Sequence, residues 1–556
     1  MTVGGHGTEL AVVVVVFGLV TVLGFAASRW RRPESVFEEK WGLEEWGLGG
    51  RAFGNGVSFF LLGGDIYTAY TLVALPALVY GLGAAGYFPV AFLAVTYPLI
   101  YVALPRMWSV AHVHGFVTPA EFVRARFGSS ALAVLVACTT IVATMPYIAL
   151  QLVGLRAVFE AMGIGGDLPL ALAFGLLAFF TFNSGLRAPA LIAVVKDLML
   201  MATVLVVVLL LTITQGGWGH VFAVAGAQFA RSGGGSLLLP PGAQLSYVTL
   251  ALGSAMALFL YPHTLTGVLA ARNRATIQRS LSTLPVYTLM LGVFALFGFA
   301  AIASGVHPAG SNPTTILPQL LQANLNGWGA GMCFAALSVG ALVPASIMSI
   351  GAANLFTRNI YRVFIRPDAT SGQETQVSRT ASLIVKLGAL AVIIWITPGN
   401  AIDLQLMGGV VLLQVFPAVA LGLFTNWFHR AALITGLLAG LASGILMLYQ
   451  IPGTDPGGKV ISRHFGGDSW PLAHLGLPTN VTIYAGILAL AVNLAVATTG
   501  TWLCRRLGIL PGTDETHPSD YTADEHDPTT RRMAELIDGV PRRHAKHARR
   551  RHLALP

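Results

Sequence analysis

The stretch LLGGDIYTAY, residues 61–70, lies inside an apolar run that extends from Val57 to Leu82. A helix that crosses lipid normally excludes ionisable residues, because each of them is costly to place in hydrocarbon. Glycine lets a helix unwind, and unwound backbone is tolerated at membrane depth only where it lines a cavity or binds something. The Gly63-Gly64-Asp65 sequence therefore predicts a broken membrane helix at a binding site. The alternative is a packing pair of glycines with Asp65 facing another helix.

The composition indicates a membrane protein. Only 10% of the 556 residues are charged and 55% are hydrophobic, whereas about 25% of the residues of a soluble protein are charged. Apolar runs near the ~20 residues that a bilayer crossing needs recur along the chain. We predict thirteen spans, over residues 9–28, 54–82, 86–106, 129–161, 167–186, 189–214, 245–271, 281–304, 327–363, 378–397, 401–424, 428–449 and 477–503. The predicted fold class is an all-α polytopic membrane protein, and the first run is expected to be a retained helix because no basic residue precedes it.

The basic residues predict an orientation. If the N-terminus is outside, cytoplasmic segments hold 27 of the 33 Lys and Arg residues, and the outer loops hold Arg231, Lys459 and Arg463. Basic residues collect on the cytoplasmic side of membrane proteins, so we expect the N-terminus outside and the C-terminus in the cytoplasm. Residues 504–556 are expected to form a disordered basic tail. Contact of this tail with anionic lipid is the alternative.

A second polar interruption, Tyr261-Pro262-His263-Thr264, lies in the span 245–271. Proline removes a helix hydrogen bond and kinks the chain. His263 either titrates near neutral pH in a site or is a structural histidine. Two interrupted helices five spans apart are typical of inverted-repeat transporters, which bind substrate at mid-membrane.

Other polar residues inside spans are candidates for the same site. We predict that the substrate-binding residues are Tyr67, Thr68, Tyr70, Thr71, Tyr147, Gln151, Tyr261, His263 and Thr264. Gln151 bonds either a substrate or a neighbouring helix. Asp197 is a candidate for an ion path, while Lys196 and Lys386, about two turns from their span ends, are expected to snorkel.

Motifs of other protein classes are absent from the sequence, which has no GxxxxGK[ST] and no HExxH. Cys138, Cys333 and Cys504 are far apart and have no metal-ligand spacing, so we predict three unpaired thiols. We therefore expect no enzyme, no cofactor, no certain metal site, no nucleic acid and no obligatory protein partner. The lipid bilayer and a small solute are the expected partners.

Several motifs together resemble the sodium:solute symporter family. They are EEWGLGGRAFG (44–54), HGFVTPAEFVRARFG (114–128), PYIALQLVG (146–154) and NLFTRNIYRVF (354–364). The versions LGGDIYTAYTLVALPALVYGLGAAGY (62–87), GLRAPALIAVVKD (185–197) and LVPASIMSIGAANLFTRN (342–359) are most similar to its bacterial monocarboxylate permease branch. That branch takes up pyruvate, lactate, acetate, propionate and similar acids.

The resemblance implies a LeuT-like fold of five plus five helices in inverted repeat. It places an extra helix and leading segment at 1–53, a transport core at 54–424, two further helices at 425–503 and the tail at 504–556. By the same resemblance Asp65 matches an aspartate linked to sodium, Gly63 and Ile66 supply backbone oxygens to a cation, and Asp197 is associated with ion exit.

The sequence departs from the family at the cation site. Two adjacent hydroxyl residues of the family fall at Val343 and Pro344, neither of which offers an oxygen ligand from its side chain. Ser346 and Ser349 lie a few positions further on and are candidates for a shifted sodium site. A proton is the other coupling ion, because a buried carboxyl such as that of Asp65 can carry one.

We therefore predict a secondary active symporter that imports small monocarboxylates with H⁺ or Na⁺ across the bacterial inner membrane. The first alternative is a sodium-coupled symporter of another solute, such as an amino acid. The second, from another class, is a membrane sensory module, which usually carries a fused signalling domain; we expect none in the short basic tail.

Overall fold

The computed structural model describes residues 7–27, 42–166, 168–310, 312–395, 401–454, 460–477 and 481–524. Helices dominate these residues. Two short antiparallel strand pairs lie on one side of the bundle, β1 (Gly453–Thr454) with β2 (Val460–Ser462) and β3 (Ser469–Pro471) with β4 (Thr482–Tyr484).

The helices follow one another with short connections. The helices in the first part of the chain, up to Ser232, are α1 (Gly7–Ala27), α2 (Leu43–Leu48), α3 (Asn55–Gly64), α4 (Leu75–Leu82), α5 (Phe88–His114), α6 (Pro119–Phe127), α7 (Ser130–Ala161), α8 (Leu168–Ser184), α9 (Arg187–Thr214) and α10 (Trp218–Ser232). The next set is α11 (Gln244–Leu258), α12 (Pro262–Leu269), α13 (Arg274–Thr283), α14 (Pro285–Ala303), α15 (Ile316–Asn324), α16 (Gly327–Phe356), α17 (Ser371–Trp395), α18 (Asp403–Leu412), α19 (Phe416–Val419), α20 (Arg430–Gln450) and α21 (Ala485–Arg506). Two π-type turns, Tyr70–Ala74 and Thr357–Ile365, adjoin α4 and α16.

The order of long and short helices repeats. The pair α3 and α4, a broken helix, is followed by α5, α7, α8 and α9, with the short α6 between the second and third members. The broken pair α11 and α12 is followed by α14, α16, α17 and α18, with the short α15 in the corresponding place. This helix order agrees with the two groups of five that the family resemblance implies.

The predicted count of thirteen spans is not confirmed. Within the described ranges, nine helices are long and apolar enough to cross a bilayer, or ten if α11 and α12 count as one span. Three predicted spans fall outside this count: 54–82 is broken into short halves, 167–186 corresponds to α8 with only 17 residues, and 378–397 corresponds to α17, which is not among the counted helices and whose predicted end lies outside the described residues. The predicted span 477–503 begins later than expected, since residues 482–484 form β4 before α21 starts.

Polar residues set several helix starts at the ends of the bundle. Thr118 and Glu121 form a capping box at α6, in which each side chain accepts from the other's backbone N–H. Ser129, Asn273 and Asn326 accept N–H bonds at the starts of α7, α13 and α16. Such caps satisfy amides that a helix leaves unpaired at its first turn.

The helix α16 lies at the centre of the bundle. Its most apolar stretch is buried throughout, and it packs against α1, α7, α9, α12 and α17. Glycine permits the closest approach: a Cβ on Gly351 would lie 2.8 Å from the backbone of Pro262. The outward face of α1 instead exposes Val14, Val15 and Leu19 by 59% to 65%, as expected for a lipid-facing helix.

The predicted tail begins with an ordered part. In contrast to the prediction of disorder from residue 504, α21 continues to Arg506, and a C-terminal segment, residues 508–524, packs on the side of the bundle that carries α6. Its Glu515 N–H donates to the Ala125 carbonyl at 2.8 Å, and its Asp514 pairs with Arg126 at 2.8 Å. Arg126 lies on α6, so its charge fixes this segment. The prediction for 525–556 lies outside the described residues.

Two further contacts hold the C-terminal segment. His114 Nε2 lies 2.8 Å from the Asp520 carboxylate, and the Tyr521 ring lies under the guanidinium of Arg106 at 5.1 Å. Burial opposes the charged form of Asp520, but hydrogen bonds from His114 and from the His517 N–H outweigh it, so the pKa of Asp520 lies below its usual value. The segment thus joins the end of α5 to α6 and α21.

Candidate substrate and ion site

The predicted break in the first core helix is present. α3 ends at Gly64, residues 65–68 lie outside the helical ladder, and the turn Tyr70–Ala74 leads into α4. The Ala69 N–H, which the break exposes, donates to Oε1 of Gln151 at 2.9 Å. Gln151 on α7 therefore ties the open stretch to its neighbour, and its predicted contact with substrate stays a prediction.

Local hydrogen bonds shape the open stretch. The Ile66 N–H donates to the Gly63 carbonyl at 2.9 Å, and the Ile66 carbonyl accepts from the Thr71 hydroxyl. The Thr68 hydroxyl accepts from the Tyr70 N–H at 3.2 Å. The two carbonyls that the resemblance assigned to a cation are thus engaged within the turn itself.

The second predicted break is also present. α11 ends at Leu258, α12 begins at Pro262, and their axes differ by 43°. The Thr264 hydroxyl donates back across the break to the Leu258 carbonyl at 3.4 Å and lies beside the Asp65 carboxyl. The two breaks therefore meet at Asp65.

An aromatic cluster fills the space beside the second break. The ring centroids of Tyr147, Tyr261 and His263 lie 5.1 to 5.5 Å apart. The Tyr261 hydroxyl donates to the Gln405 carbonyl at 3.1 Å, and the Tyr147 hydroxyl lies 3.5 Å from that of Thr68. Four predicted binding residues from three helices thus come together.

Buried polar atoms without partners collect in this region. Among the described residues they include both carboxyl oxygens of Asp65, the hydroxyls of Tyr67 and Tyr70, both ring nitrogens of His263 and Oε1 of Gln405. More than about nine in ten buried polar groups in folded proteins are hydrogen-bonded. Such a concentration indicates a place where a solute, an ion or water supplies the missing partners.

Two cavities adjoin these atoms, with empty volumes of about 280 and 430 Å³. Asp65, Ile66, Leu93 and Leu258 line both of them. The smaller cavity adds polar side chains, those of Tyr70, Tyr147 and Gln405. The larger adds Thr96, Tyr97, Thr264, Leu281 and Leu284, and so extends toward α13.

A buried ion pair lies directly behind the first break. Lys196 Nζ donates to the carbonyls of Gly64 at 2.9 Å and Tyr67 at 3.0 Å, and lies 3.0 Å from Asp197 Oδ1. The Tyr287 hydroxyl donates to Asp197 Oδ2 at 2.8 Å. Both charged side chains are fully buried. The expectation that Lys196 snorkels is therefore wrong, because its ammonium turns inward to backbone oxygens.

Gly63 and Gly64 lie at the helix break and also allow close packing, the two roles that the sequence offered as alternatives. A Cβ on Gly63 would lie 2.1 Å from the ring of Tyr287, and a Cβ on Gly64 would lie 3.1 Å from Lys196 Nζ. Glycine is thus required for close packing of the helix that it also ends.

Ser346 and Ser349 lie in a different hydrogen-bond network. Ser346 accepts from Thr181 at 3.1 Å, and Ser382 donates to Ser349 at 3.0 Å. Lys386 Nζ donates to Ser382 at 2.9 Å and is 2% exposed, so the expectation that it snorkels is also wrong. These serines bond α8 and α17, while their predicted role in ion coupling stays a prediction.

Three residues of the site were missed from the sequence. Lys196 was assigned to the lipid boundary, Tyr287 was not singled out, and Gln405 was passed over in the span 401–424. Gln405 had a usable signal, since an amide within an apolar span is rare. For Tyr287 no signal existed, because only the packing of α14 against α3 and α9 places it at the ion pair.

Two broken helices that meet beside a buried cavity with unpaired polar atoms are typical of secondary transporters. The sodium:solute symporter family model matches residues 46–440. The chain belongs to this family, and it is a membrane symporter.

Its relatives cover most of its length. It is 46% identical over 498 residues to a monocarboxylate transport permease protein of Rhizobium johnstonii, covering 89% of this chain and 97% of that one. It is 32% identical to the uncharacterized symporter YodF of Bacillus subtilis, over 79% and 87% of the two chains. The sodium/proline symporter of Escherichia coli is 23% identical over 68% and 75%.

A solved structure shares the fold. The substrate-bound, outward-open state of a Na⁺-coupled sialic acid symporter superposes with a TM-score of 0.69 at 14% identity, over 91% of this chain and 99% of that one. Its LeuT-type architecture is therefore the architecture of this chain. At this identity the likeness carries no assignment of ligand.

Proposed function

We propose that this protein imports small monocarboxylates, of the pyruvate, lactate, acetate and propionate type, together with a proton. The observation that carries the proposal is the set of unpaired buried polar atoms of Asp65, Tyr70 and Gln405, which line a small cavity beside the two broken helices. The name of the 46% identical relative supports the substrate class.

The chemistry of the cavity suits a small acid. The side chains of Tyr70 and Tyr147 line it, and their hydroxyls can donate to carboxylate oxygens. The ring of His263 packs against that of Tyr147, and in its neutral form it donates from one ring nitrogen. The remaining wall is apolar, with Phe92, Leu93 and others, and accepts a methyl or short alkyl group. This combination favours a short aliphatic carboxylate over a sugar, which would need many more hydrogen-bond partners.

The charge of Asp65 supports cation coupling. Asp65 lines both cavities, so an ionised carboxyl there would repel a substrate carboxylate in the same space. A proton on Asp65 removes this repulsion and adds a donor. The substrate anion and a proton therefore favour each other's binding, which is the condition for symport.

We further propose that the side of the bundle with α6 and the C-terminal segment faces the cytoplasm of a bacterial inner membrane. Arg126 and Arg358 contact acidic residues on this side, and α21 ends there with Arg505 and Arg506. The positive-inside rule supports this orientation. A cysteine placed after Gly508 should react with a membrane-impermeant thiol reagent only in inside-out vesicles.

Transport in proteoliposomes tests the function. Vesicles at internal pH 7.5 and external pH 6 in sodium-free buffer should accumulate labelled pyruvate or acetate, and collapse of the gradient with a protonophore should release it. A protein-free vesicle corrects for passive diffusion of the neutral acid. Accumulation that follows a sodium gradient and ignores pH would refute the proton assignment, and uptake of an amino acid alone would refute the substrate class.

A further inference from the structure

We propose that Lys196 is a resident cation that fills the cation position of the first break, so that this carrier selects against sodium. The inference deepens the proposed symport, since it concerns the coupling ion of the same site. The ammonium of Lys196 contacts two backbone carbonyls of the open stretch and one carboxylate oxygen.

The ligands of Lys196 are those that an alkali cation would use. Hard cations bind backbone carbonyl and carboxylate oxygens. The Gly64 and Tyr67 carbonyls are free for such a ligand because the helix break removes them from the helical ladder. The Asp197 carboxylate neutralises the charge, and Tyr287 holds its other oxygen. A lysine ammonium with three donors therefore satisfies three oxygens that would otherwise surround a metal ion.

Among the described residues, the face of α16 that packs against the first break offers no side-chain oxygen near Gly340. A Cβ on Gly340 of α16 would lie 2.5 Å from Leu72 and 3.4 Å from Leu200, so α16 faces both the first break and α9 at this height. One helical turn further, on the same face, α16 carries Val343 and Pro344. Further along α16, the hydroxyls of Ser346 and Ser349 bond Thr181 and Ser382. The buried Ser338 hydroxyl lies two residues before Gly340 and therefore on another face of the helix.

Sodium therefore does not fit while Lys196 is in place. The ammonium occupies the carbonyl oxygens, a second cation beside it would be repelled, and the wall lacks the ligands that would compensate. Lys196 acts as a specificity-determining residue for the coupling ion: it supplies the structural charge at the break and leaves transport of a cation to another group.

Removal of the ammonium should convert the position into a sodium site. A Lys196→Thr substitution leaves two carbonyls and the Asp197 carboxylate around the space that the lysine side chain fills, and adds a hydroxyl at the α9 end of that space. Sodium-free transport by this variant should fall by roughly a hundredfold or more, the effect of removing one member of a buried ion pair. Addition of sodium, with choline as control, should restore a measurable part of it.

The control variant is Lys196→Met, which has similar length but neither charge nor oxygen. It should lose transport in the same way and gain nothing from sodium. Lys386→Met provides a second control, because it removes another fully buried lysine that bonds Ser382 and not the first break. It should not acquire a sodium response.

A binding measurement on purified protein makes the test independent of the substrate. Thermal unfolding of the unmodified protein should be the same in sodium and in choline chloride, while sodium should stabilise the Lys196→Thr variant, as any ligand stabilises the state that binds it. Sodium stabilisation of the unmodified protein overturns the inference even if the variants do not fold. A folded Lys196→Thr variant that transports normally without sodium also overturns it. If no monocarboxylate is transported, the proposed function fails, yet the sodium-binding result still decides this inference.

Discussion

Replacement of Asp65 by asparagine separates binding of the substrate from coupling to the proton. The side chain lines both cavities and is 5% exposed, and among the described residues neither of its carboxyl oxygens has a hydrogen-bond partner. Asparagine keeps the shape of the protonated carboxyl but cannot release a proton. The Asp65→Asn variant should therefore bind substrate and lose accumulation driven by a pH gradient.

The magnitude follows from Coulomb's law. A substrate carboxylate in the smaller cavity would lie about 5 Å from an ionised Asp65, and at an effective dielectric constant of about 20 the repulsion is about 3 kcal/mol. This free energy corresponds to roughly a 200-fold loss of affinity. Substrate affinity of the unmodified protein should fall toward this limit as the pH rises, whereas affinity of the variant should not depend on pH.

Two assays in the same vesicles distinguish the steps. With a pH difference of two units, one-for-one symport can concentrate substrate about 100-fold at most, while the variant should only equilibrate it. Counterflow, in which internal unlabelled substrate exchanges for external label, needs no net proton movement and should persist in the variant. Glu160→Gln is a suitable control, because this carboxyl lies at the end of α7 and bonds Asn312 instead of lining a cavity.

Either of two results would contradict this role of Asp65. Driven accumulation by the Asp65→Asn variant at the normal level would remove Asp65 from the coupling mechanism. A folded variant without counterflow would show that the charged carboxylate is itself needed for binding, which contradicts the repulsion argument.

Three further predictions follow. Gly63→Ala should destabilise the protein by roughly 1 to 3 kcal/mol, because the added Cβ would overlap the Tyr287 ring. The control is Gly56→Ala on the same helix, which should be tolerated because its Cβ would meet nothing within 4 Å. Melting temperatures of the two variants in detergent measure the difference. Hydrogen bonds from His114 and the backbone lower the pKa of Asp520, so the stabilisation that Asp520 gives the C-terminal segment is present above about pH 4 and is lost as the pH falls further. Protease cleavage within residues 508–524 should therefore rise below that pH, and in the Asp520→Asn variant it should be high already at neutral pH. A cleavage rate that does not depend on pH would contradict this prediction. Uptake should not respond to a membrane potential set by valinomycin and potassium, and a tenfold response would exclude one-for-one coupling.

The sequence predicted the breaks because they depend on local chemistry. Gly63-Gly64 and Pro262 weaken a helix whatever surrounds them, and an ionisable residue beside each break marks it as a site. The repeated order of helices was readable for a similar reason, since apolar runs and polar connections are local features. The number of complete spans could not be read from the sequence in this way, because a broken helix and the 17-residue α8 are too short to be counted by the length that a bilayer crossing needs.

The direction of buried lysines could not be predicted from the sequence. Lys196 lies two turns inside its span, where snorkelling to the interface is the usual outcome. Its inward orientation depends on the carbonyls of the first break, which are remote in sequence and available only because that helix is open. Lys386 turns inward toward Ser382 on its own helix, which in turn bonds Ser349 of α16. In both cases the partner, and not the depth in the membrane, decides where the ammonium lies.

The charges at the first break explain why a proton alone suffices in the proposed cycle. Lys196 and Asp197 cancel each other, and His263 is counted as neutral because burial without an acceptor disfavours its charged form. The empty carrier with ionised Asp65 then has a net charge of −1, and so does the carrier with a protonated Asp65 and a bound carboxylate. Both states that must cross carry the same charge, so the membrane potential favours neither. Loss of the Lys196 charge would make the net charge of each state more negative by one. A bound sodium ion would restore the original net charge, and for this reason the Lys196→Thr variant should require sodium.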